Sequence, residues 1–173
     1  MELGLKDKVI LVTGGASGIG QEIVKKLQAL EAIPIVIDRV KKVEAKWGQD
    51  SSIIPEPQWI TVDLVEEDPC RKAVGQIIDQ FGRIDGLVNN AGMNDGVGLT
   101  SSLDQFRSSI EANLIHYFTM AHLCLEALKK NKGTIVNIGS KVSFTGQGCT
   151  SGYAASKGGI TSLTREWAVD LAA

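Results

Sequence analysis

The sequence predicts an α/β fold built on a doubly wound parallel sheet. Two observations carry that prediction. Short apolar runs bounded by Gly, Pro and Asp alternate with longer stretches of helical period, the pattern of repeated strand-helix-strand units whose strands are covered on both faces. The glycine-rich segment Thr13-Gly14-Gly15-Ala16-Ser17-Gly18-Ile19-Gly20 follows the first apolar run directly and opens the first helical stretch.

The elements follow in order along the chain. Val9 to Val12 form the first strand, Gly18 to Leu30 a helix and Ile33 to Ile37 the second strand, which completes one strand-helix-strand unit. Lys41 to Gln49 read as a short helix and Asp50 to Pro57 as a loop before a strand from Trp59 to Val62. Glu66 to Phe81 place Val74, Ile77, Ile78 and Phe81 at helical spacing, and Gly82 supplies a stop before a strand at Ile84 to Val88. A glycine-rich loop, one long amphipathic helix from Leu103 to Lys130 and a strand at Thr134 to Ile138 follow. From Tyr153 a last helix runs to the end of the sequence. There is no internal repeat, low-complexity tract or linker, so residues 1–173 read as one domain.

Composition narrows the function. Of the residues, 43% are hydrophobic and 22% charged, ordinary for a globular protein, and the formal charge of -2 provides no broad positive field for nucleic acid or anionic membrane. No export signal and no apolar stretch of about 20 residues is present, which predicts a cytoplasmic location. Cys70, Cys124 and Cys149 are odd in number and widely spaced, so they read as reduced thiols, with Cys149 packing as a small hydrophobe. His116 and His122, six apart, fall on different helix faces and read as core or surface residues, not as metal ligands.

The glycine-rich segment has the context of a dinucleotide cradle. Gly14 permits a tight turn, Gly18 lets backbone approach a pyrophosphate and Gly20 allows close helix packing. The helix start, with Ser17 and Ile19 at its mouth, offers free N–H groups and a partial positive charge to the phosphates. Asp38 ends the second strand, where a carboxylate accepts hydrogen bonds from the adenosine ribose and repels a 2′-phosphate. NAD is therefore expected over NADP, although Arg39 beside it has the guanidinium that a 2′-phosphate prefers. Asp63 and Leu64, after the third strand, are placed to reach the adenine edge; Asp63 in that position equally serves as a helix cap.

Tyr153 and Lys157 are four apart and share one helix face, and Ser140 lies at the end of the fifth strand. An ammonium about 4 Å from a phenol contributes on the order of 4 kcal/mol at intermediate dielectric, about three pKa units. A tyrosine so perturbed can take a proton from an alcohol as hydride leaves its carbon, and return it in the reverse reduction. By itself such a pair is more often a solvated surface feature. Asn113, an amide in the middle of a long helix, is a poor helix former that needs a water or backbone partner.

Taken together, the glycine loop, Asn89-Asn90-Ala91-Gly92, Asn113, Ser140 and Tyr153-Ala154-Ala155-Ser156-Lys157 resemble, in order and spacing, the short-chain dehydrogenase/reductases, and the resemblance runs from Lys6 to Ala173. It implies a Rossmann-type sheet with five strands in the order 3-2-1-4-5. It implies that Ser140 holds the substrate oxygen, Tyr153 is the general acid/base, Lys157 binds the nicotinamide ribose and Asn113 completes a water-mediated proton relay. Asn90, Ala91 and Gly92 would form the family's loop beneath the cofactor, with Tyr153 and Lys157 also touching it. Relatives continue through two more strands and a substrate lid, so this chain is expected to be the C-terminally incomplete part of a longer protein that forms a homodimer or homotetramer. Its fifth strand would otherwise be left as an apolar sheet edge.

An alcohol or sugar dehydrogenase is the expected activity. The alternatives are an NAD-binding module or regulatory subunit without turnover and an NADPH-dependent carbonyl or 3-oxoacyl reductase, which Asp38 opposes. Asn94, Asp95, Lys141, Gln147 and Thr150 are polar groups on the loops expected to flank the nicotinamide, where a polyhydroxylated substrate satisfies them better than an apolar one. An aldose oxidised at its anomeric carbon is predicted, with Gln147 as the main contact beside Ser140 and Tyr153. Residues 113–117, 145–148 and 163–167 resemble those of bacterial family members acting on L-fucose.

Overall fold

A computed structural model of the chain describes residues 3–41 and 57–172. Among the described residues five strands form one sheet: β1 (Val9–Thr13), β2 (Ile33–Asp38), β3 (Gln58–Thr61), β4 (Gly86–Asn89) and β5 (Thr134–Asn137). Their order is β3-β2-β1-β4-β5, as expected. Val9 to Thr13 pair in parallel with Ile33 to Ile37 on one side, and Ile10 to Val12 with Gly86 to Val88 on the other. Every residue of β1 and β4 is buried, and so is β2 after Ile33, whereas β3 and β5 at the sheet edges consist of exposed and half-buried residues. Central parallel strands must be apolar on both faces, and the unbroken apolar runs Val9 to Val12 and Ile35 to Ile37 meet that requirement.

The helices are α1 (Gly18–Ala29), α2 (Glu67–Phe81), α3 (Leu103–Ile110), α4 (His116–Asn131) and α5 (Ser151–Asp170). Gly82 closes α2, as its position predicts. The single helix expected over Leu103–Lys130 is interrupted: a π-helical turn, Glu111–Ile115, separates α3 from α4 and carries Asn113. The last helix begins two residues before Tyr153 and ends at Asp170, where Leu171 bonds back to the Trp167 and Val169 carbonyls. Apart from Lys41 and Pro57, the helix expected over 41–49 and the loop over 50–57 lie outside the described residues.

The fold divides into two compact units, residues 1–91 with 119–136, and residues 92–118 with 137–173. In the first, Asp85 ties the starts of three strands together. Its carboxylate accepts from the Val9 amide at 3.0 Å and Arg83 Nε at 2.7 Å, and its carbonyl accepts from the Thr134 amide at 3.0 Å. Burial alone would raise the Asp85 carboxyl, but Arg83, Val9 and Lys8 more than offset it, so its pKa lies below the usual carboxylate value. The sheet order reverses between β1 and β4, the place where open α/β sheets bind ligands beyond their strand ends. In the second unit α5 seats against α3 and the π turn through two glycines: a Cβ on Gly152 would lie 2.3 Å from Ser109 Oγ, and one on Gly159 3.0 Å from a Leu114 methyl.

Candidate active site

At the end of β1 in the first unit, Gly14 turns the chain with φ of 65°, a conformation that disfavours any residue with a Cβ. A Cβ on Gly20 would stand 2.2 Å from the Gly14 carbonyl and 2.5 Å from Asn90 Nδ2. Both glycines are therefore fixed by close approach. Asn90 holds the loop from the other side, donating to the Thr13 and Gly14 carbonyls at 3.0 and 3.1 Å. Thr13 Oγ1 accepts from the Asn90 and Ala91 amides at 2.9 and 3.1 Å. Gly18, by contrast, meets nothing within 4 Å and lies exposed beside Ser17 and Ile19 at the start of α1. Ser17 caps α1 through its backbone conformation while its hydroxyl makes no bond to the helix. Donors at a helix start, an open glycine and a hydroxyl fit a pyrophosphate.

Asp38 sits at the carboxyl end of β2, 8% exposed. Its two oxygens accept from the Ala16 amide and the Val40 amide, each at 3.0 Å, so the carboxylate also braces the glycine loop. Asp63 is exposed and accepts from the Val65 amide at 3.2 Å, forming a local turn, while Glu66 and not Asp63 takes the N-cap position of α2; Leu64 beside Asp63 is half-buried.

The second unit gathers the residues expected to do chemistry. Ser140 follows β5 in extended conformation and its Oγ accepts from the Val142 amide at 3.4 Å. Tyr153 is half-buried in the first turn of α5, and Lys157, one turn on, is only 2% exposed. Lys157 Nζ lies 5.7 Å from the Tyr153 ring centroid, and it donates to Tyr117 Oη at 2.9 Å and the Ile138 carbonyl at 2.7 Å. Burial lowers the ammonium to about 8. Asn113 is fully buried: its Oδ1 accepts from the Met93 amide at 2.7 Å and its Nδ2 donates to the Ser109 carbonyl at 3.1 Å. The partner that its helical position demanded is therefore backbone at both ends. Gly92 approaches the same cluster, with the site of its missing Cβ 3.1 Å from Asn113 Oδ1 and 3.6 Å from Lys157 Nζ.

The loop residues are less uniform. Gln147 is exposed between Gly146 and Gly148, Lys141 is exposed and Thr150 is buried. Asn94 and Asp95 accept from the Gly96 and Val97 amides, each at 3.3 Å, so turn formation accounts for part of their presence. Cys149 does not pack as a small hydrophobe. It is exposed with φ of 52°, and its backbone is what approaches Gly98, whose added Cβ would meet Cys149 Cα at 3.0 Å. Cys70 and Cys124 are buried, which pushes their thiols up to about 11 and about 12, with Asp63, Glu66 and Glu67 adding to the effect at Cys70. His116 is buried, its Nε2 3.1 Å from the Ala112 carbonyl, and His122 is exposed. Sequence reasoning missed Tyr117 and the Gly152–Ser109 contact; a tyrosine four residues beyond Asn113 and a glycine just before Tyr153 were the available signals.

A parallel sheet in this order with a glycine-rich turn after β1 defines a Rossmann-type, dinucleotide-binding fold. The chain matches the short chain dehydrogenase family over residues 8–173 and belongs to it. It is 34% identical over 165 residues to L-fucose dehydrogenase of Bos taurus, covering 94% of this chain and 60% of that protein. The L-fucose likeness thus extends to a mammalian protein. Among solved structures it is similar to Cj0485 dehydrogenase, with a TM-score of 0.91 and 40% identity over 99% of this chain and 66% of that one. It also resembles the ligand-free aldohexose dehydrogenase of Thermoplasma acidophilum, with a TM-score of 0.87 and 27% identity over 96% of this chain and 62% of that one. The chain therefore spans about 60% of the length of the L-fucose dehydrogenase it matches.

Proposed function

We propose that the protein containing this chain is an NAD-dependent dehydrogenase that oxidises an aldose, an L-fucose-like sugar, at its anomeric carbon. The observation that carries the reading is Lys157, an ammonium at 2% exposure one helical turn from Tyr153. A charge so buried is costly, and such groups concentrate where chemistry requires them. Support for a sugar comes from the L-fucose and aldohexose dehydrogenases among the similar proteins and from polar groups on the two loops, Gln147 chief among them.

In this reading the bound nicotinamide supplies the hydride acceptor. Gly14, Ser17, Gly18, Ile19 and Gly20 hold the pyrophosphate, Asp38 the adenosine ribose, Asp63 and Leu64 the adenine edge, and Asn90, Ala91 and Gly92 the floor beneath the cofactor. Ser140 Oγ holds the substrate oxygen. Tyr153 Oη accepts the hydroxyl proton as the carbon loses hydride, so the alcohol gives up one hydride, with both electrons, and one proton and becomes a lactone carbonyl. Lys157 holds the nicotinamide ribose and stabilises the tyrosinate; Asn113 fixes the loop at Met93 and completes the proton relay through water. Exposed Ile115, Phe118 and Val169 support association between copies.

The test is a substrate panel on the full-length protein, following the absorbance of reduced nicotinamide with NAD and with NADP. Oxidation of L-fucose, D-arabinose or related aldoses with NAD is expected. Efficient oxidation of simple secondary alcohols or hydroxysteroids with aldoses ignored would overturn the sugar assignment, and NAD binding without turnover on any substrate would overturn the enzymatic one.

A further inference from the structure

Tyr117 has no exposed surface and is the bulkiest fully buried side chain in the described residues. It stands four residues beyond Asn113, just past the π turn, so the two share a helix face. Its hydroxyl donates to the Ile138 carbonyl at 3.2 Å and accepts from Lys157 Nζ at 2.9 Å, while Nζ also donates to that carbonyl at 2.7 Å. The ammonium lies 4.9 Å from the centroid of the Tyr117 ring. An ammonium has three N–H donors. Here two are held by fixed acceptors, which stops rotation about Cε–Nζ and leaves one N–H for the cofactor ribose or Tyr153.

We propose that Tyr117 is a positioning residue that locks the Lys157 ammonium so that its one remaining N–H is presented to the cofactor ribose or Tyr153. The inference rests on the reading of Lys157 as the catalytic lysine. Around Nζ, α4 contributes Tyr117 and α5 contributes Tyr153; the loop at Gly92 and the carbonyl of Ile138 bring no charge, and among the described residues no carboxylate pairs with it. Burial, then the neighbouring Tyr153 phenol, raises the Tyr117 hydroxyl above the ordinary tyrosine value, whereas burial lowers Lys157 to about 8. Tyr117 therefore keeps its proton throughout the range in which Lys157 titrates, and its oxygen stabilises the charged form of the lysine.

The experiment uses full-length protein with 13C at lysine Cε, without cofactor, the Lys157 signal being assigned by its loss in Lys157→Arg. Tyr117→Phe removes only the hydroxyl and should lower the Lys157 midpoint by about one pH unit, the equivalent of one hydrogen bond to a charged group. Turnover should fall about tenfold through kcat, as a misplaced catalytic group does. Incorporation of 3-fluorotyrosine at position 117, which keeps the ring shape and weakens the oxygen as an acceptor, should move the midpoint the same way by less and covers the case in which Tyr117→Phe does not fold. A Lys157 midpoint that stays in place in these proteins overturns the proposal, whatever happens to thermal stability. The catalytic reading fails separately: near-normal turnover in Tyr153→Phe removes it, while the cofactor-free midpoint still decides whether Tyr117 fixes the lysine.

Discussion

Asp38 serves two masters at the level of single atoms. Its oxygens accept from Ala16 in the glycine loop and from Val40, and in the proposed reading each has a further lone pair for a ribose hydroxyl. Asp38→Ala should therefore weaken NAD binding about tenfold or more, because a hydrogen bond to a charged group is worth about 1.5 to 3 kcal/mol and the Ala16 amide loses its acceptor as well. Asp38→Asn keeps an acceptor for Ala16 and removes the charge, so it should narrow the NAD over NADP preference with a smaller loss of affinity. Titration of both variants with both cofactors checks this; equal NAD and NADP affinities in the unmodified protein would remove its basis. Tyr153→Phe loses only the proton acceptor, so NAD binding should persist while kcat falls about 100-fold or more. Fluorescence titration beside turnover measurements checks that split.

At the scale of elements, the placement of Tyr153 depends on how α5 seats. Gly152 lets the helix start approach α3 so closely that any Cβ would collide with Ser109, whose buried hydroxyl has no hydrogen-bond partner among the described residues. Gly152→Ala should destabilise the protein by about 1 to 3 kcal/mol through overpacking. Ser109→Gly opens the same space, so the double variant should recover part of that loss, and a double-mutant cycle by denaturant unfolding reads the coupling directly. An independent sum of the two single effects would refute the contact. The π turn works on the same scale: it divides what would be one helix and puts Asn113 and Tyr117 on the face where Met93 and Lys157 meet them.

For the molecule as a whole, Lys157 weighs against stability. The folded state lowers it from 10.5 to about 8. Between those values the unfolded chain binds more protons than the folded one, so stability rises with pH there and the full penalty, on the order of 3 kcal/mol, applies below about pH 8. Lys157→Met should therefore melt a few degrees higher than the unmodified protein at pH 7 while losing turnover. The Tyr117 hydroxyl retains Ile138 as its acceptor in that variant. The advantage should shrink as pH rises from 8 towards 10.5, and calorimetry across that range checks the sign; a Lys157→Met protein less stable than the original at pH 7 would show that packing lost with the side chain outweighs the buried charge.

Periodicity and punctuation in the sequence determined the strands and most helices, and the family resemblance implied the sheet order. Runs such as VILVT can bury both faces only at the centre of a parallel sheet, and the spacing of Gly14, Gly18 and Gly20 after such a run is a local signal that needs no distant partner. The order of short motifs likewise singled out Ser140, Tyr153 and Lys157 as candidates, with the roles proposed above. What the chain does not print is anything set by the meeting of segments distant in sequence. The π turn at Glu111–Ile115 has no period of its own to reveal it. Cys149 looked like a packing residue, but its loop puts backbone against Gly98 and leaves the thiol outside. Tyr117 carried no reading of its own beyond its place in residues 113–117. Only tertiary structure brought it 40 residues along the chain to Lys157, where burial removes water and makes one hydroxyl oxygen decisive for an ammonium.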